Sequence, residues 1–241
     1  NMLWVLAHLP WALLCAERSL RSPVARRWCP ALALCFVSMI LLGHPQTVWF
    51  AAIGVGVLVL ACGFVLGWTR AYGRNCARMT PALIAALLIG MLQILPTADF
   101  LGRSTRREIS RDDFLNCSWP PANLAVTASP GLFHAQFVGD WIRVPGQPPA
   151  YRESAELPNY FGLGCLVLLL AGAVVHLGPA WRDHRGLTLF LGAVAVALLL
   201  LALGRYGGLI HLQRLLPLVS KFRCPVRYVC LLYALAAVAG A

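Results

Sequence analysis

The sequence predicts an all-α protein, a polytopic bundle of transmembrane helices with one long extracytoplasmic loop. Composition is the first reason: 59% of the 241 residues are hydrophobic and only 12% are charged, about half the charged fraction of a typical soluble domain. The second reason is that Asp, Glu, Lys and Arg are absent from long runs, among them the whole stretch from Trp28 to Thr69. A helix that crosses a bilayer needs about 20 apolar residues, so this stretch has room for two spans. A membrane β-strand would alternate apolar and polar residues, and these runs do not, so helices are expected.

Apolar segments between the charged stretches predict about seven helical passes. They are 3–16, 28–43, 47–68, 80–96, 160–178, 187–203 and 228–241. The first and last are too short to cross a bilayer, and the chain begins and ends inside them. We therefore expect 1–241 to be a single transmembrane domain that is a fragment of a longer protein, with both end segments truncated.

Arginine-rich connections predict the orientation of these segments. Three connections are short and basic, namely loops 17–27, 69–79 and 179–186. Short basic loops stay in the cytoplasm, and these three follow the first, third and fifth segments, so an alternating path puts them on one side. The long loop 97–159 is then extracytoplasmic, together with Gly-His-Pro-Gln at 43–46 and the connection 204–227.

The connection 204–227 is basic although it is predicted to lie outside. It contains five cations and no acid: Arg205, Arg214, Lys221, Arg223 and Arg227. Leucines recur in it at helical spacing, which predicts that part of it lies in the membrane interface as an amphipathic helix. The cations either contact anionic lipid head groups or bind a phosphorylated lipid or sugar donor, since arginine forks match phosphate oxygens.

A Gly-His-Pro-Gln cluster interrupts the longest apolar run. Pro45 disfavours a helical conformation at His44, so a tight outer turn between two helices is expected instead of one long helix. Two interpretations stay open. The cluster is either only a turn, or His44 and Gln46 line an outer cavity and hydrogen-bond a substrate, because polar groups at membrane depth tend to mark sites.

Four motifs follow one another in a recognisable order. They are "GHPQ" (43–46), "LQILPTADFLGRSTR" (92–106), "ESAELPNYFGLGCLVLLLAG" (153–172) and "ALGRYGGLIHLQRLLPLVSKFRCPVRY" (202–228). This order resembles the YfhO-type family of bacterial multi-spanning membrane proteins, which are relatives of the GT-C glycosyltransferases. The resemblance implies an enzyme of the bacterial inner (cytoplasmic) membrane that moves a sugar from a polyprenyl-phosphate carrier to an envelope polymer or lipid on the outer face.

The resemblance also implies site residues. The catalytic acid of such enzymes usually lies in the first outer loop of the full protein, which we expect to precede this sequence. Within the sequence, Asp99 and Glu156 match acids of the family and are weak candidates for the catalytic base. The residues expected to contact substrate are His44, Gln46, Arg106, Lys221, Arg223 and Arg227. Arg223 and Arg227 match the family's "FRxPxR" and are the preferred pair for a lipid phosphate.

Two other functions are compatible with the same sequence features. A transporter or flippase for lipid-linked saccharides would use the same basic connection but should show charged residues within spans or broken helices in paired halves. A non-catalytic membrane protein of envelope assembly is also compatible with the sequence. Nucleic-acid binding is rejected, because nine of the twenty cations lie in the three basic loops and the rest lie outside the spans. No cofactor is evident, and nothing in the residue spacing supports a divalent metal. The expected partners are the bilayer and a polyprenyl-phosphate-linked sugar or another anionic lipid.

Overall fold

The structure, a computed structural model, describes residues 2–21, 27–104, 110, 114–115, 118–119, 121, 124, 181–216 and 219–239. The described residues are mostly helical and include no β-strand, which confirms the predicted all-α class. The chain divides into two compact units, a first unit Asn1–Glu108 and a second unit Ile109–Ala241.

Five helices make up the described part of the first unit. They are α1 Met2–Leu6, α2 Leu9–Arg21, α3 Trp28–Leu41, α4 Pro45–Leu66 and α5 Arg70–Arg103. Pro45 occupies the first turn of α4, where its missing N–H costs no helical hydrogen bond. Thr69 starts α5, and its hydroxyl accepts a hydrogen bond from the backbone N–H of Tyr72 at 3.1 Å, the usual way to satisfy a free N–H at a helix start.

Helix α5 is longer than the sequence predicts. Its 34 residues span about 51 Å at 1.5 Å per residue, which exceeds the roughly 40–45 Å of a whole bilayer with its head groups. Both charged ends therefore belong to the helix: 70–79, predicted as a loop, forms its first turns, and 97–103, predicted as the start of the long loop, forms its last. Hydropathy predicts where a helix leaves the hydrocarbon, not where the helix ends. A helix whose end is capped and whose charged side chains form ion pairs continues beyond that point. The ends of two other predicted basic loops, 17–21 and 181–186, are helical in the same way.

Side-chain contacts give the helix directions in the first unit. Ser38 of α3 is hydrogen-bonded to His8 at the start of α2, and Cys29 of α3 donates to Ser19 near the end of α2, so these two helices are antiparallel. Gly90 of α5 packs against α3, which runs in the same direction. The Asn75 amide, near the start of α5, donates to the carbonyl of Leu20 at 2.9 Å. The arginine-rich ends of α2 and α5 therefore lie together, and the Gly-His-Pro-Gln turn lies at the opposite end of the unit. A chain that crosses the membrane in alternating directions must have the arginine-rich ends at one end of the unit and the Gly-His-Pro-Gln turn at the other. The side of the membrane that each end faces stays a prediction.

Among the described residues, three helices are long and apolar enough to cross a bilayer: α4, α5 and residues Arg185–Ala202. Trp28–Leu41 and Pro225–Leu235 are apolar but shorter. Helix α5 carries large apolar side chains on its outer surface, for example Leu88 with 65% and Leu92 with 75% of the side chain exposed. Leucines exposed to this degree along one helix match a surface that meets lipid. These features indicate a membrane protein. The seven-segment bundle stays a prediction, because 160–178 and most of the long loop lie outside the described residues.

Turns dominate the second unit after its long helix. Its described helices are α6 Trp181–Ala202, the short α7 Ile210–Gln213 and α8 Val229–Ala239, with 3-10 turns at Gly204–Tyr206, Val219–Lys221 and Pro225–Tyr228. Among the described residues of 204–227, only Ile210–Gln213 is α-helical, so the amphipathic helix predicted for part of this connection is four residues long there. Gly204 has a φ of +56°, and a Cβ atom there would lie 2.2 Å from the Ser118 hydroxyl oxygen. A glycine is therefore required where the chain leaves α6.

Close contact between α3 and α5 depends on Gly90. A Cβ atom at this position would lie 2.8 Å from Cγ2 of Ile40, so a larger residue has to push the helices apart. We expect Gly90→Leu to destabilise the first unit by about 1–3 kcal/mol, measured as a lower midpoint of thermal unfolding in detergent. The control is Gly102→Leu in the same helix, where no atom lies within 4 Å of the added Cβ. An equal loss in both variants would contradict this account of the contact.

Candidate functional site

A polar turn joins α3 and α4 at one end of the first unit. His44 has φ −118° and ψ 82°, outside the helical region, as the following Pro45 requires. Its Nδ1 is hydrogen-bonded to the Thr47 hydroxyl at 2.5 Å. Gln46 and Thr47 are both buried. The predicted tight turn is confirmed, and it leaves one substrate-binding candidate half-buried and the other inside the protein.

Helix α5 brings two further polar side chains to this turn. A Cβ atom at Gly43 would lie 3.4 Å from Nε2 of Gln93, so the glutamine amide packs directly on the turn. That amide also donates to the Thr97 hydroxyl at 3.3 Å, and this hydroxyl donates to the Gln93 carbonyl at 2.7 Å. Neither residue is among the site residues predicted from the sequence. Helical spacing from Pro96 gives their positions along α5, but only the packing of α3 on α5 places them beside the turn.

A second histidine lies near this end of the unit and was also missed. His8 sits at the break between α1 and α2, with Nδ1 2.8 Å from the Trp4 carbonyl oxygen and Nε2 2.9 Å from the Ser38 hydroxyl oxygen. A carbonyl only accepts, so Nδ1 must donate, and in the neutral ring Nε2 then accepts from the serine. The signal in the sequence was "HLP" at 8–10, a histidine and a proline that interrupt an apolar run as "GHPQ" does.

The predicted acid of α5 lies in an ion pair. Asp99 Oδ1 accepts from Nε of Arg103 at 3.1 Å and lies 3.0 Å from its Nη2. Both side chains are well exposed, and an exposed pair of this kind contributes roughly 0–1 kcal/mol. A role for Asp99 as catalytic base stays a prediction. The other two candidates from the same motifs, Arg106 and Glu156, lie outside the described residues.

A basic turn with the residues Val219–Tyr228 lies in the second unit. It contains Lys221, Arg223 and Arg227, all half-buried. Between the two arginines, Cys224 has φ 61° and ψ 71°, the left-handed conformation, and it is the one non-glycine residue with positive φ in the described part of the chain. Such a residue costs of order 1–3 kcal/mol and persists only where its surroundings enforce it, often at functional sites. Pro225 is buried next to it and packs on the Gly204 turn.

The two remaining cations of this connection lie outside the basic turn. Arg214 stacks its guanidinium over the ring of Phe114, 5.5 Å from the ring centre, a cation–π contact. Arg205 is exposed, and its backbone N–H donates to the Ser118 hydroxyl at 3.0 Å. The five predicted cations therefore divide into three within the basic turn and two outside it.

The described residues contain no group of three His, Cys, Asp or Glu side chains that could hold a metal ion. No known protein family, curated protein or solved structure matches the chain. The resemblance to the YfhO-type family therefore stays a prediction from the four motifs.

The left-handed conformation of Cys224 predicts how substitutions at this position change the free energy of unfolding. At Cys224, glycine removes the steric cost of positive φ but leaves a small cavity, because the cysteine is buried. A β-branched residue cannot adopt this backbone conformation without severe strain. We expect Cys224→Gly to change the free energy of unfolding by less than about 1 kcal/mol, and Cys224→Val to lower it by more than about 2 kcal/mol. Thermal unfolding in detergent measures both. Cys230→Val, at a helical position of α8 in the same unit, controls for the exchange of thiol for valine, and a loss there as large as at residue 224 would refute the backbone explanation.

Proposed function

We propose that the protein is a GT-C-like glycosyltransferase of the bacterial cytoplasmic membrane. It transfers a sugar from a polyprenyl-phosphate carrier to an envelope polymer or lipid on the outer face. The observation that carries the proposal is the basic turn: Lys221, Arg223 and Arg227 lie within ten residues in a backbone bent by Cys224 and Pro225. The order of the four motifs supplies the reaction class, and the basic turn supplies a site for its phosphate.

The chemistry is a substitution at the anomeric carbon of the sugar. An acceptor hydroxyl oxygen forms a bond to that carbon while the bond from the carbon to the carrier phosphate oxygen breaks. The phosphate leaves with the electron pair and gains negative charge. Cations at the phosphate therefore stabilise the transition state and the leaving group more than the donor, and this difference accelerates the reaction.

The proton of the acceptor hydroxyl passes to a base. Asp99 and Glu156 are the carboxylates predicted for this role. Asp99 is exposed and lies in an ion pair with Arg103, and a carboxyl group at such a position is accessible to an acceptor.

The polar turn of the first unit suits an uncharged, hydroxyl-rich group. Imidazole, amide and hydroxyl groups meet there in His44, Gln46, Thr47 and Gln93. Such groups both donate and accept hydrogen bonds, as sugar hydroxyls do. We assign sugar or acceptor contacts to this turn.

The arginine-rich ends of α2 and α5 are proposed to face the cytoplasm. Two glycines of α5 test this, because both Gly73 and Gly102 are exposed with open space around them and lie near opposite ends of the helix. In a Cys76→Ser, Cys117→Ser background, we expect a membrane-impermeant maleimide to label Gly102→Cys in intact cells. Gly73→Cys should react only after permeabilisation, and the reverse pattern would invert the proposed topology.

Loss of one arginine of the basic turn should reduce sugar transfer. A charged hydrogen bond contributes about 1.5–3 kcal/mol, so we expect Arg223→Ala to lower the rate about 10- to 100-fold. The assay uses membranes that contain the full chain, supplied in turn with polyprenyl-phosphate glucose, galactose and mannose that carry a radiolabel, and it follows label that enters envelope polymer or lipid. Membrane insertion should be unchanged.

Arg205→Ala is the matched control, because it removes the same charge from an exposed position outside the basic turn. Its transfer rate should stay within about twofold of the wild type. Normal transfer by Arg223→Ala would exclude the basic turn as the phosphate site. A protein that moves labelled carrier lipid across the bilayer without transferring sugar would instead be a flippase.

A further inference from the structure

Gln213, at the end of α7, has a buried side-chain amide whose oxygen and nitrogen both form hydrogen bonds. Only 6% of the residue is exposed. Its Oε1 accepts a hydrogen bond from the hydroxyl of Tyr228 at 2.7 Å, and its Nε2 donates to the carbonyl of Val219 at 2.9 Å. Tyr228 and Val219 are buried as well. A buried amide with partners on both sides links its neighbours rigidly, because breaking either bond leaves a polar atom without water.

The two partners of Gln213 are the first and last residues of the basic turn. Val219 opens the 3-10 turn that contains Lys221, and Tyr228 closes the 3-10 turn that contains Arg227. One side chain thus ties both ends of the segment that carries the three cations. Within the segment, the N–H of Phe222 donates to the Val219 carbonyl at 3.0 Å, and the N–H of Arg227 donates to the Cys224 carbonyl at 3.1 Å.

The left-handed Cys224 needs such a restraint. A free chain would relax this residue to negative φ, and the direction of the backbone between Arg223 and Arg227 would change with it. With both ends held by Gln213 and Pro225 buried, the strained conformation persists before any ligand arrives. A site that is ordered before the ligand arrives binds more tightly, because binding then does not have to overcome the entropy lost when the site becomes ordered.

We propose that Gln213, with Tyr228, is the positioning pair of the phosphate site. It clamps the basic turn so that Lys221, Arg223 and Arg227 present a preformed cradle to the carrier phosphate, which is a diester in the sugar donor and a monoester in the released carrier. The inference rests on the proposed function, which places the carrier phosphate at this turn. The pair itself is buried and does not touch the ligand; it acts through the backbone of the turn.

Binding of polyprenyl phosphate to the full chain in phosphatidylcholine nanodiscs tests the proposal. Tyr228→Phe removes only the hydroxyl, and Gln213→Leu keeps the side-chain size without its hydrogen bonds. We expect each variant to weaken binding about tenfold. The double variant should lose less than the product of the two factors, because both changes break one network. A parallel measurement with phosphatidylglycerol, another lipid with an anionic phosphate, separates a site for the carrier from a general contact with anionic head groups.

Ser118→Ala is the control for a purely structural effect. Ser118 is also buried in the second unit, and its hydroxyl donates to the Leu115 carbonyl at 2.6 Å and accepts from the N–H of Arg205 at 3.0 Å. It should lower the unfolding midpoint as much as Tyr228→Phe does, while binding at a temperature well below that midpoint stays within about twofold of the wild type.

Two results would overturn the proposal, and they differ. If Arg223→Ala loses binding while Tyr228→Phe and Gln213→Leu bind like the wild type, the phosphate site stands and the positioning role is wrong. If Arg223→Ala binds like the wild type, the phosphate site itself is wrong and the positioning role falls with it. Should Gln213→Leu not fold, Tyr228→Phe alone decides, because it removes a single oxygen atom from a buried ring.

Discussion

Backbone hydrogen bonding in an apolar surrounding is the constraint on which the rest of the structure depends. Hydrocarbon offers no partner to a peptide N–H or C=O group, so a chain that crosses it must be helical. The described spans meet this condition without interruption, α5 even across Pro81 and Pro96. Irregular backbone is therefore confined to the ends of helices. The polar turn and the basic turn are both such places, which is where a membrane protein can hold polar groups and meet polar ligands.

Small and neutral polar residues hold the first unit together. Gly90 lets α5 approach α3, while His8 with Ser38, Ser19 with Cys29 and Asn75 with the Leu20 carbonyl link one helix to another. Lipid tails are as apolar as leucine, so burial of apolar surface does little to drive helices together within a bilayer. Close packing and neutral hydrogen bonds hold the helices together instead. Large apolar side chains are left on the outside of α5.

Two kinds of polar chemistry occur in the two units. The first unit gathers neutral donors and acceptors around His44, and the second gathers cations around Cys224 and ties them through a buried amide. Neutral groups suit hydroxyls, and cations suit phosphate oxygens.

The sequence by itself determined the all-α class, the turn at His44 and the helices predicted over 28–43 and 47–68, which form as Trp28–Leu41 and Pro45–Leu66, because charge distribution and proline act locally. It misplaced the ends of α5, since a helix continues past the hydrocarbon when its end is capped. The amphipathic helix predicted for part of 204–227 has only four residues in the described structure, because glycines and a left-handed cysteine interrupt the chain there. Only the tertiary structure brought Gln93 to Gly43, His8 to Ser38 and Gln213 to Tyr228. These contacts join residues distant in sequence, and they follow from which helix faces pack together, which periodicity within one segment does not specify.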